Sequence, residues 1–260
     1  MYRSIRSAAL AALLFSGASA AQAAGDTAKP TVVLVHGAFA DSSGWNGVIE
    51  RLESDGYPVI AAANPLRSVA GDAESVASVV RSIPGRVILV GHSYGGIVIT
   101  EAAKGNVNVQ ALVYVAGFLP DTGESALTLS VKFPGSTLGD ALAPVGLPDG
   151  GTDLYIQPGK FHDQFAADVP EAQATLMAAT QRPVTQDALS QPARAATWKS
   201  LPTYVIYGAE DRNIPAATMR FMADRAHARK TVAIANGSHA LMVSHPGEVA
   251  ELIESAATER

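Results

Sequence analysis

The chain has 260 residues, of which 48% are apolar and 17% are charged. This composition favours one globular domain with a sizeable core over several domains or a disordered chain. It contains 19 basic and 24 acidic residues and no cysteine. These counts exclude disulfides, thiolate nucleophiles and cysteine-ligated metals, and the lack of a basic run argues against nucleic acid as a partner.

The first 24 residues have the layout of a secretory signal peptide. Arg3 and Arg6 form a short basic start, Ala8 to Phe15 is an apolar run, and an Ala-x-Ala pattern stands at 21–23. The run is too short to span a bilayer, which takes about 20 residues. The sequence therefore predicts an exported chain, periplasmic or secreted, without a membrane anchor. An uncleaved alanine-rich helix is the alternative.

Short apolar runs alternate with helical patterns over most of the remaining chain. Apolar and β-branched runs predict strands at Thr31 to Val35, Pro58 to Ala61, Val87 to Val90, Ala111 to Ala116, Thr203 to Tyr207 and Thr231 to Ile234. Apolar residues at helical spacing predict helices at Ser43 to Asp55, Ala73 to Ile83, Tyr94 to Lys104, Pro215 to Ala228 and Pro246 to Ala256. The alternation predicts an α/β domain over residues 25–260, whose mostly parallel sheet is flanked by helices.

This alternation stops between about residues 118 and 200. The segment is rich in Pro, Gly and Asp, has no clear buried strand and is too long for a plain loop. It therefore predicts an inserted, mainly helical cap. Its apolar underside is expected to include Phe161, Phe165, Leu176 and Met177, unless these residues pack the cap against itself.

Ser93 is the candidate nucleophile. It lies in Gly91-His92-Ser93-Tyr94-Gly95, a G-x-S-x-G pattern between a predicted buried strand and a predicted helix. A nucleophilic serine needs such a sharp, strained strand-to-helix turn, and the start of the helix favours developing negative charge. The pattern is weak by itself, and its flanking elements make it specific.

His239 is the candidate general base that a serine nucleophile requires. It follows a predicted strand in the loop Asn236 to His239, and loops at the carboxyl ends of parallel strands form the sites of α/β folds. The other histidines lie in places that suit a base less well: His36, His92, His162, His227 and His245. His245 is the main competitor, although it adjoins Pro246 and is typical of a helix start. His92 is expected to point away from the reactive face.

Asp211 is the candidate acid that holds the histidine tautomer and stabilises its charged form. It lies in the turn after the strand Thr203 to Tyr207 and before the next helix. A helix N-cap is its alternative role, and Glu210 is the alternative acid. The order Ser, Asp, His along the chain differs from the orders of chymotrypsin and subtilisin.

An oxyanion hole requires two backbone N–H donors aimed at one point. The first is expected from Tyr94, the residue after the nucleophile. The second is expected from the loop after the first strand, where Gly37 permits a tight turn and Ala38 N–H is the candidate. Phe39 N–H is the alternative.

Four segments together resemble the α/β-hydrolase superfamily: Val33 to Ala38, Gly91 to Gly96, Gly208 to Asp211 and Gly237 to His239. More closely, the chain is similar to the branch of plant methyl esterases and hydroxynitrile lyases and to related bacterial serine esterases, over about residues 31–253. The resemblance is specific for the fold and the triad, and much less specific for the substrate. It implies two-step acyl transfer that needs no cofactor and no metal.

Within that branch, two details favour an esterase over a lyase. The lyases typically place a lysine just after the catalytic histidine, whereas Ala240, Leu241 and Met242 follow His239 here. They also replace the glycine of the first loop, whereas Gly37 is present. Ser93 argues against the haloalkane dehalogenases and epoxide hydrolases, which share the fold but use an aspartate nucleophile.

The sequence thus predicts hydrolysis of carboxylic esters, with a small-molecule ester as the partner. Apolar and aromatic residues near the site favour small to medium hydrophobic esters. The candidates that line the pocket are Phe39, Trp45, Tyr94, Phe118, Leu119, Leu241 and Met242. The alternatives are lactone or amide hydrolysis, perhydrolysis or cyanohydrin cleavage on the same triad, and a non-catalytic ligand-binding protein.

Overall fold

Residues 28–259 are described by the structure, a computed structural model, and the predicted signal peptide lies outside them. The strands in these residues are β1 (Thr31–Val35), β2 (Val59–Ala62), β3 (Val87–His92), β4 (Val109–Val115), β5 (Leu142–Gly146), β6 (Thr152–Ile156), β7 (Val184–Thr185), β8 (Thr203–Gly208) and β9 (Lys230–Ile234). The helices are α1 (Asn46–Ser54), α2 (Val69–Arg81), α3 (Gly95–Ala102), α4 (Ala126–Ser130), α5 (Leu138–Ala141), α6 (Pro158–Phe165), α7 (Glu171–Thr180), α8 (Gln186–Ser190), α9 (Ala216–Arg225), α10 (Leu241–Ser244) and α11 (Pro246–Thr258). None of these helices is both long enough and apolar enough to cross a membrane.

A six-stranded parallel sheet in the order β2-β1-β3-β4-β8-β9 forms the centre of the fold. Its register aligns the carboxyl ends of the central strands, because Val35 pairs with Gly91 and Gly91 pairs with Tyr114. The loops that follow β1, β3 and β4 therefore meet at one edge of the sheet, which is where the sites of such sheets form.

Helices cover the sheet, and the central strands are apolar because both of their faces are buried. Helix α1 packs against α11, α2 packs against α3, and both α3 and α11 contact the central strands. Every residue of β3 is buried. The predicted α/β class is confirmed, and each of the six predicted strands lies within two residues of its predicted bounds.

Several helix boundaries differ from the predictions by one to four residues, and two of them have a clear local cause. Helix α2 begins at Val69 rather than Ala73, because the side chain of Ser68 accepts a hydrogen bond from Gly71 N–H (3.1 Å) and caps the first turn. Helix α9 ends at Arg225, before His227, which has a positive φ of 48°. His227 therefore lies in the turn after the helix and not within it.

The segment between β4 and β8 is the cap. Helices α4 to α8 provide most of its regular structure, as predicted, but it also contains a three-stranded antiparallel sheet in the order β5-β6-β7. The sequence pattern missed this sheet because its edge strand β5 is half-buried or exposed along its length and contains Pro144 and Gly146. Such a strand lacks the alternation of apolar and polar residues by which strands are recognised.

Candidate active site

Ser93 lies at the sharp turn between β3 and α3. Its φ is +53°, in the left-handed region that side chains rarely adopt. The turn is held by its own backbone, since Ser93 N–H donates to Val115 O (3.2 Å) and Ser93 O accepts from Gly96 N–H (2.9 Å) and Phe118 N–H (3.1 Å). Strain fixed in this way projects the hydroxyl from the end of the strand, as a nucleophile requires.

The loop after β1 lies directly against this turn, and two glycines permit the approach. A Cβ on Gly37 would lie 2.6 Å from the Cβ of Ser93, and a Cβ on Gly95 would lie 2.5 Å from Val35 O. Neither position has room for a side chain. The two glycines therefore bring the predicted oxyanion loop and the nucleophile into contact.

His239 and Asp211 form a buried hydrogen-bonded pair. His239 Nδ1–H donates to Asp211 Oδ2 at 2.7 Å, and the two residues are 1% and 5% exposed. The other carboxylate oxygen, Oδ1, accepts from Asn213 N–H (2.7 Å) and Ile214 N–H (3.0 Å). The carboxylate orients the ring so that Nε2 carries the free lone pair that a general base uses.

Asp211 was also a candidate for a helix N-cap, and its Oδ1 does cap a turn. It is not a helix N-cap, since α9 begins at Ala216 after Pro215. The alternative acid, Glu210, is exposed to solvent and is not among the partners of His239. The structure therefore pairs His239 with Asp211 and leaves Glu210 outside the site.

The competing histidines have structural partners of their own. His245 lies at the start of α11, near Asp168 (3.4 Å) and Glu248 (3.5 Å). His36 supports its loop: Nδ1–H donates to Gly37 O (3.0 Å) and Nε2 accepts from Asn64 N–H (3.1 Å). Burial lowers the pKa of His36, which keeps it neutral.

His92 does not line the cavity at Ser93, but it is nearer to the site than the sequence predicts. Its ring packs against the ring of His239 with 4.8 Å between centroids, and its Nε2–H donates to His239 O (3.0 Å). Complete burial holds the pKa of His92 well below its usual value. His92 is therefore a neutral support beneath the candidate base.

The cap holds the same histidine from the other side, through contacts that the sequence did not indicate. Phe165 packs edge-on to the His239 ring (5.0 Å), and its carbonyl accepts from Ala240 N–H (3.0 Å). The carboxylate of Asp168 accepts from both Ser238 N–H (3.0 Å) and Ser238 Oγ–H. The loop that carries His239 is thus fixed between the sheet and the cap.

Two backbone donors stand free beside Ser93. Within residues 28–259, neither Ala38 N–H nor Tyr94 N–H has a hydrogen-bond acceptor. Phe39 N–H, the alternative donor, is already bonded to Arg182 O in the cap (3.0 Å). This arrangement favours Ala38 and Tyr94 as the oxyanion donors.

The side chain of Tyr94 is anchored away from the sheet. Its hydroxyl donates to Asp72 Oδ2 (2.9 Å), and Asp72 Oδ1 accepts from Arg67 N–H (3.1 Å). Burial and the neighbouring carboxylate raise the pKa of Tyr94, and burial also raises the pKa of Asp72. The phenol stays protonated and acts as a fixed anchor for the adjacent N–H.

A cavity of about 250 Å³ opens over Ser93, Ala38 and Tyr94. Of the predicted pocket residues, Phe39 and Phe118 also line it. Trp45, Leu119 and Leu241 are completely buried in the core instead, and Met242 borders a separate groove of about 500 Å³ beside α7. Cap residues and the Asp211 loop supply the remaining wall: Ala126, Leu127, Ser130, Val131, Ser136, Leu138, Gly139, Leu142, Leu189, Asn213 and Ile214.

The four residues predicted for the apolar underside of the cap lie in two different places. Phe161 and Phe165 are fully buried and stack on each other (5.0 Å), and Phe165 faces His239. Leu176 is 68% exposed, and with Met177 it borders the outer groove. Across residues 28–259, no group of three or more His, Asp or Glu side chains is placed to hold a metal ion.

The chain is similar in sequence to known alpha/beta hydrolases. A sequence profile described as the alpha/beta hydrolase family matches residues 32–252. Alpha-hydroxynitrile lyase of Arabidopsis thaliana is 27% identical over 254 residues, which cover 89% of this chain and 98% of the lyase. Methylesterase 1 of the same plant is 25% identical over 247 residues, 86% of this chain and 94% of the esterase.

Among solved structures, polyneuridine aldehyde esterase superposes with a TM-score of 0.75 at 23% identity, over 87% of this chain and 98% of that one. This likeness supports the fold. The sequence matches confirm the predicted resemblance to the branch that contains plant methylesterases and a hydroxynitrile lyase.

Proposed function

The chain belongs to the alpha/beta hydrolase family, and from that premise we propose that it hydrolyses carboxylic esters through an acyl-enzyme on Ser93. The observation that carries the proposal is the buried 2.7 Å hydrogen bond between His239 and Asp211, on the loops beside a strained serine turn. A base oriented by a carboxylate and a serine projected by its backbone are the parts that acyl transfer requires.

The proposed mechanism gives each of these groups a role. Ser93 Oγ attacks the ester carbonyl while His239 Nε2 takes its proton, and Asp211 stabilises the resulting imidazolium. The free N–H groups of Ala38 and Tyr94 stabilise the oxyanion, and each such donor contributes about 3 kcal/mol. His239 then protonates the leaving alcohol and activates the water that releases the acid.

The cavity supports small to medium hydrophobic esters as substrates. Its volume of about 250 Å³ lies below the usual range of drug-sized sites, which begins at about 300 Å³. Its wall is mostly aliphatic and aromatic, and no charged side chain contributes to it. A compact, uncharged ester fits these walls, whereas an ionised substrate would lose its hydration without a charged partner.

Cyanohydrin cleavage is the second candidate, because one of the relatives is an alpha-hydroxynitrile lyase. Two observations favour hydrolysis over it. Ala240 and not lysine follows His239, and the lining of the cavity contains neither lysine nor arginine to hold a cyanide charge. The free oxyanion donors of Ala38 and Tyr94 serve an ester directly.

Export is proposed on the pattern of the first 24 residues. Arg3, Arg6, the apolar run and the Ala-x-Ala pattern support cleavage near residue 24. The mass and N-terminal sequence of the protein recovered outside the cytoplasm test this point, since a retained Met1 would contradict it.

The test of function is hydrolysis of p-nitrophenyl acetate and butyrate by residues 25–260. Wild-type protein is expected to turn both over, and Ser93→Ala is expected to lose the activity. Ser75→Ala, on the exposed face of α2, is the matched control and should retain it. Equal rates for wild type and Ser93→Ala would refute the proposal, and release of benzaldehyde from mandelonitrile by wild type alone would favour the lyase.

A further inference from the structure

The mouth of the cavity over Ser93 lies at two exposed apolar side chains of the cap. Leu127 and Val131 line the same cavity as Ser93, Ala38 and Tyr94, although they are 52% and 69% exposed to solvent. The other large apolar residues of the lining are buried or half-buried. The cavity therefore extends from the candidate nucleophile to solvent at Leu127 and Val131.

The local sequence explains why these two side chains remain exposed. Ser125 caps the start of helix α4, because its side chain accepts a hydrogen bond from the backbone N–H three residues later (3.1 Å). The helix buries Ala126 and Leu129 in the cap. Leu127 and Val131 are four residues apart, a spacing at which helical side chains are neighbours. Together they form a small apolar surface outside the core.

The rest of the mouth is also apolar in character. Its two serines are already bonded within the fold, since Ser130 Oγ–H donates to Leu127 O (2.9 Å) and Ser136 Oγ–H donates to Asn213 O (2.9 Å). Half-buried leucines complete the wall on this side: Leu138, Leu142 and Leu189. Such a surface favours a hydrocarbon chain over a polar group, because a polar group would lose its hydration without gaining a partner.

Exposed apolar residues that are scattered singly are common on proteins and need no ligand. Leu176 and Val107 are of that kind, because they are 68% and 95% exposed and neither is among the residues that line this cavity. Leu127 and Val131 differ from them in being neighbours at the mouth of the cavity that contains Ser93. Their position indicates an occupant that enters this cavity.

We propose that the preferred ester carries a hydrocarbon chain that extends out of the cavity, and that Leu127 and Val131 bind this chain at the mouth. The cavity of about 250 Å³ holds the reacting carbonyl and its nearest carbons, and the chain beyond them covers the two exposed side chains. Removing apolar surface from water is favourable in proportion to its area. The chemical class is an aliphatic ester of medium chain length. This inference rests on the proposed function and specifies its substrate.

The test measures kcat/KM along two series of esters, each kept below the concentration at which it aggregates. The acyl chain of p-nitrophenyl esters is lengthened from butyrate to octanoate, and the alcohol of alkyl butyrates is lengthened from ethyl to hexyl. In at least one series, the wild-type kcat/KM is expected to rise about tenfold over the four added carbons. Full burial of one methylene contributes about fourfold, and a methylene covered on one side contributes about twofold.

The variant that tests the mouth combines Leu127→Ser with Val131→Ser, and its rise along that series is expected to shrink to about threefold or less. The matched control combines Leu176→Ser with Val107→Ser, the same changes at exposed positions outside this cavity, and should keep the wild-type rise. If the double variant is destabilised, the two single variants replace it, and each is expected to lose part of the rise. Thermal melting reports folding for every variant.

The outcomes separate the two proposals. A wild-type kcat/KM that does not rise with chain length in either series, or a rise that the folded Leu127 and Val131 variants keep in full, would overturn the role of the mouth and leave the esterase proposal standing. Failure of the wild-type protein to hydrolyse any member of either series would overturn the esterase proposal and, with it, this inference.

Discussion

The parallel sheet and the cap contribute to the site in different ways. The sheet supplies the proposed reacting groups, because Ser93, Asp211 and His239 lie on loops that follow β3, β8 and β9. The cap supplies most of the cavity wall, and it also holds the His239 loop through Phe165 and Asp168. The proposed reacting groups are thus placed by loops at one edge of the buried sheet, whereas most of the cavity wall is placed by the short helices of the cap.

This comparison predicts that the largest loss of activity comes from the sheet side. Asp211→Asn keeps the size of the side chain but removes the carboxylate that orients His239, and a comparable change in a Ser-His-Asp site lowers kcat about 10⁴-fold. We expect a loss of this order on p-nitrophenyl butyrate. Glu210→Gln, at the exposed neighbouring acid, is the control, and a similar loss in that variant would contradict the assignment.

A substitution in the cap is expected to lower kcat less than Asp211→Asn does. Asp168→Ala removes two hydrogen bonds to Ser238 beside the candidate base, so that the His239 loop is less well fixed. Hydrogen bonds to a charged group contribute about 1.5–3 kcal/mol each, and we expect kcat to fall about 10- to 100-fold.

Asp163→Ala, an exposed acid on helix α6, is the matched control for Asp168→Ala. The two variants are compared by kcat for p-nitrophenyl butyrate, together with thermal melting. A wild-type kcat in folded Asp168→Ala would show that the cap does not position the base.

The pH dependence of the free energy of unfolding tests the role of His92, the buried residue beneath the candidate base. The pKa of His92 in the folded protein is held well below 6.5, the value for an unfolded chain. Below about pH 6.5, His92 therefore binds a proton in the unfolded chain but stays neutral in the folded protein. The free energy of unfolding therefore falls as the pH decreases, by at most about 1.4 kcal/mol per pH unit for this residue.

Urea unfolding of wild type and His92→Gln between about pH 5 and pH 8 measures this effect. The variant is expected to lose stability less steeply on acidification, whatever its stability at neutral pH. Parallel curves for the two proteins would show that His92 does not carry the acid sensitivity.

The smallest effect is expected where the cap meets the core at a half-exposed ion pair. Arg67 Nη1 donates to Asp153 Oδ1 in β6 at 2.7 Å, and Arg67 Nη2 donates to Pro183 O (2.7 Å). Arg67 is 42% exposed but Asp153 is only 9% exposed, so the pair lies between exposed pairs, which contribute about 0–1 kcal/mol, and buried pairs, whose breaking costs about 3–5 kcal/mol. Arg67→Ala should therefore lower the free energy of unfolding by about 2 kcal/mol and leave kcat within twofold. A larger loss of kcat would mean that this bridge sets the position of the cap.

The same contrast explains what the sequence could predict. The six sheet strands and the Ser93 turn were predictable because buried parallel strands are continuous apolar runs and the G-x-S-x-G pattern has a local cause. Asp211 and His239 were indicated by their position after strands, since parallel strands end at one edge of the sheet.

The cavity wall and its polar contacts were not predictable in the same way. Leu119 and Leu241 are core residues, whereas Phe118 lines the cavity, and an apolar side chain suits both places equally. Asp168 and Asn213 look like ordinary loop residues in the sequence. Their hydrogen-bond partners are distant along the chain, Ser238 for Asp168 and Gln164 for Asn213.

The central claim is that Ser93 becomes acylated with His239 as its base, and covalent labelling tests it most directly. Residues 25–260 are treated with a fluorophosphonate, a reagent that captures activated serines, and intact mass and peptide mapping locate the adduct. The account predicts one adduct per chain, on Ser93, absent in Ser93→Ala and formed much more slowly in Asp211→Asn. An active enzyme that gains no adduct, or gains it on another serine, would contradict the account.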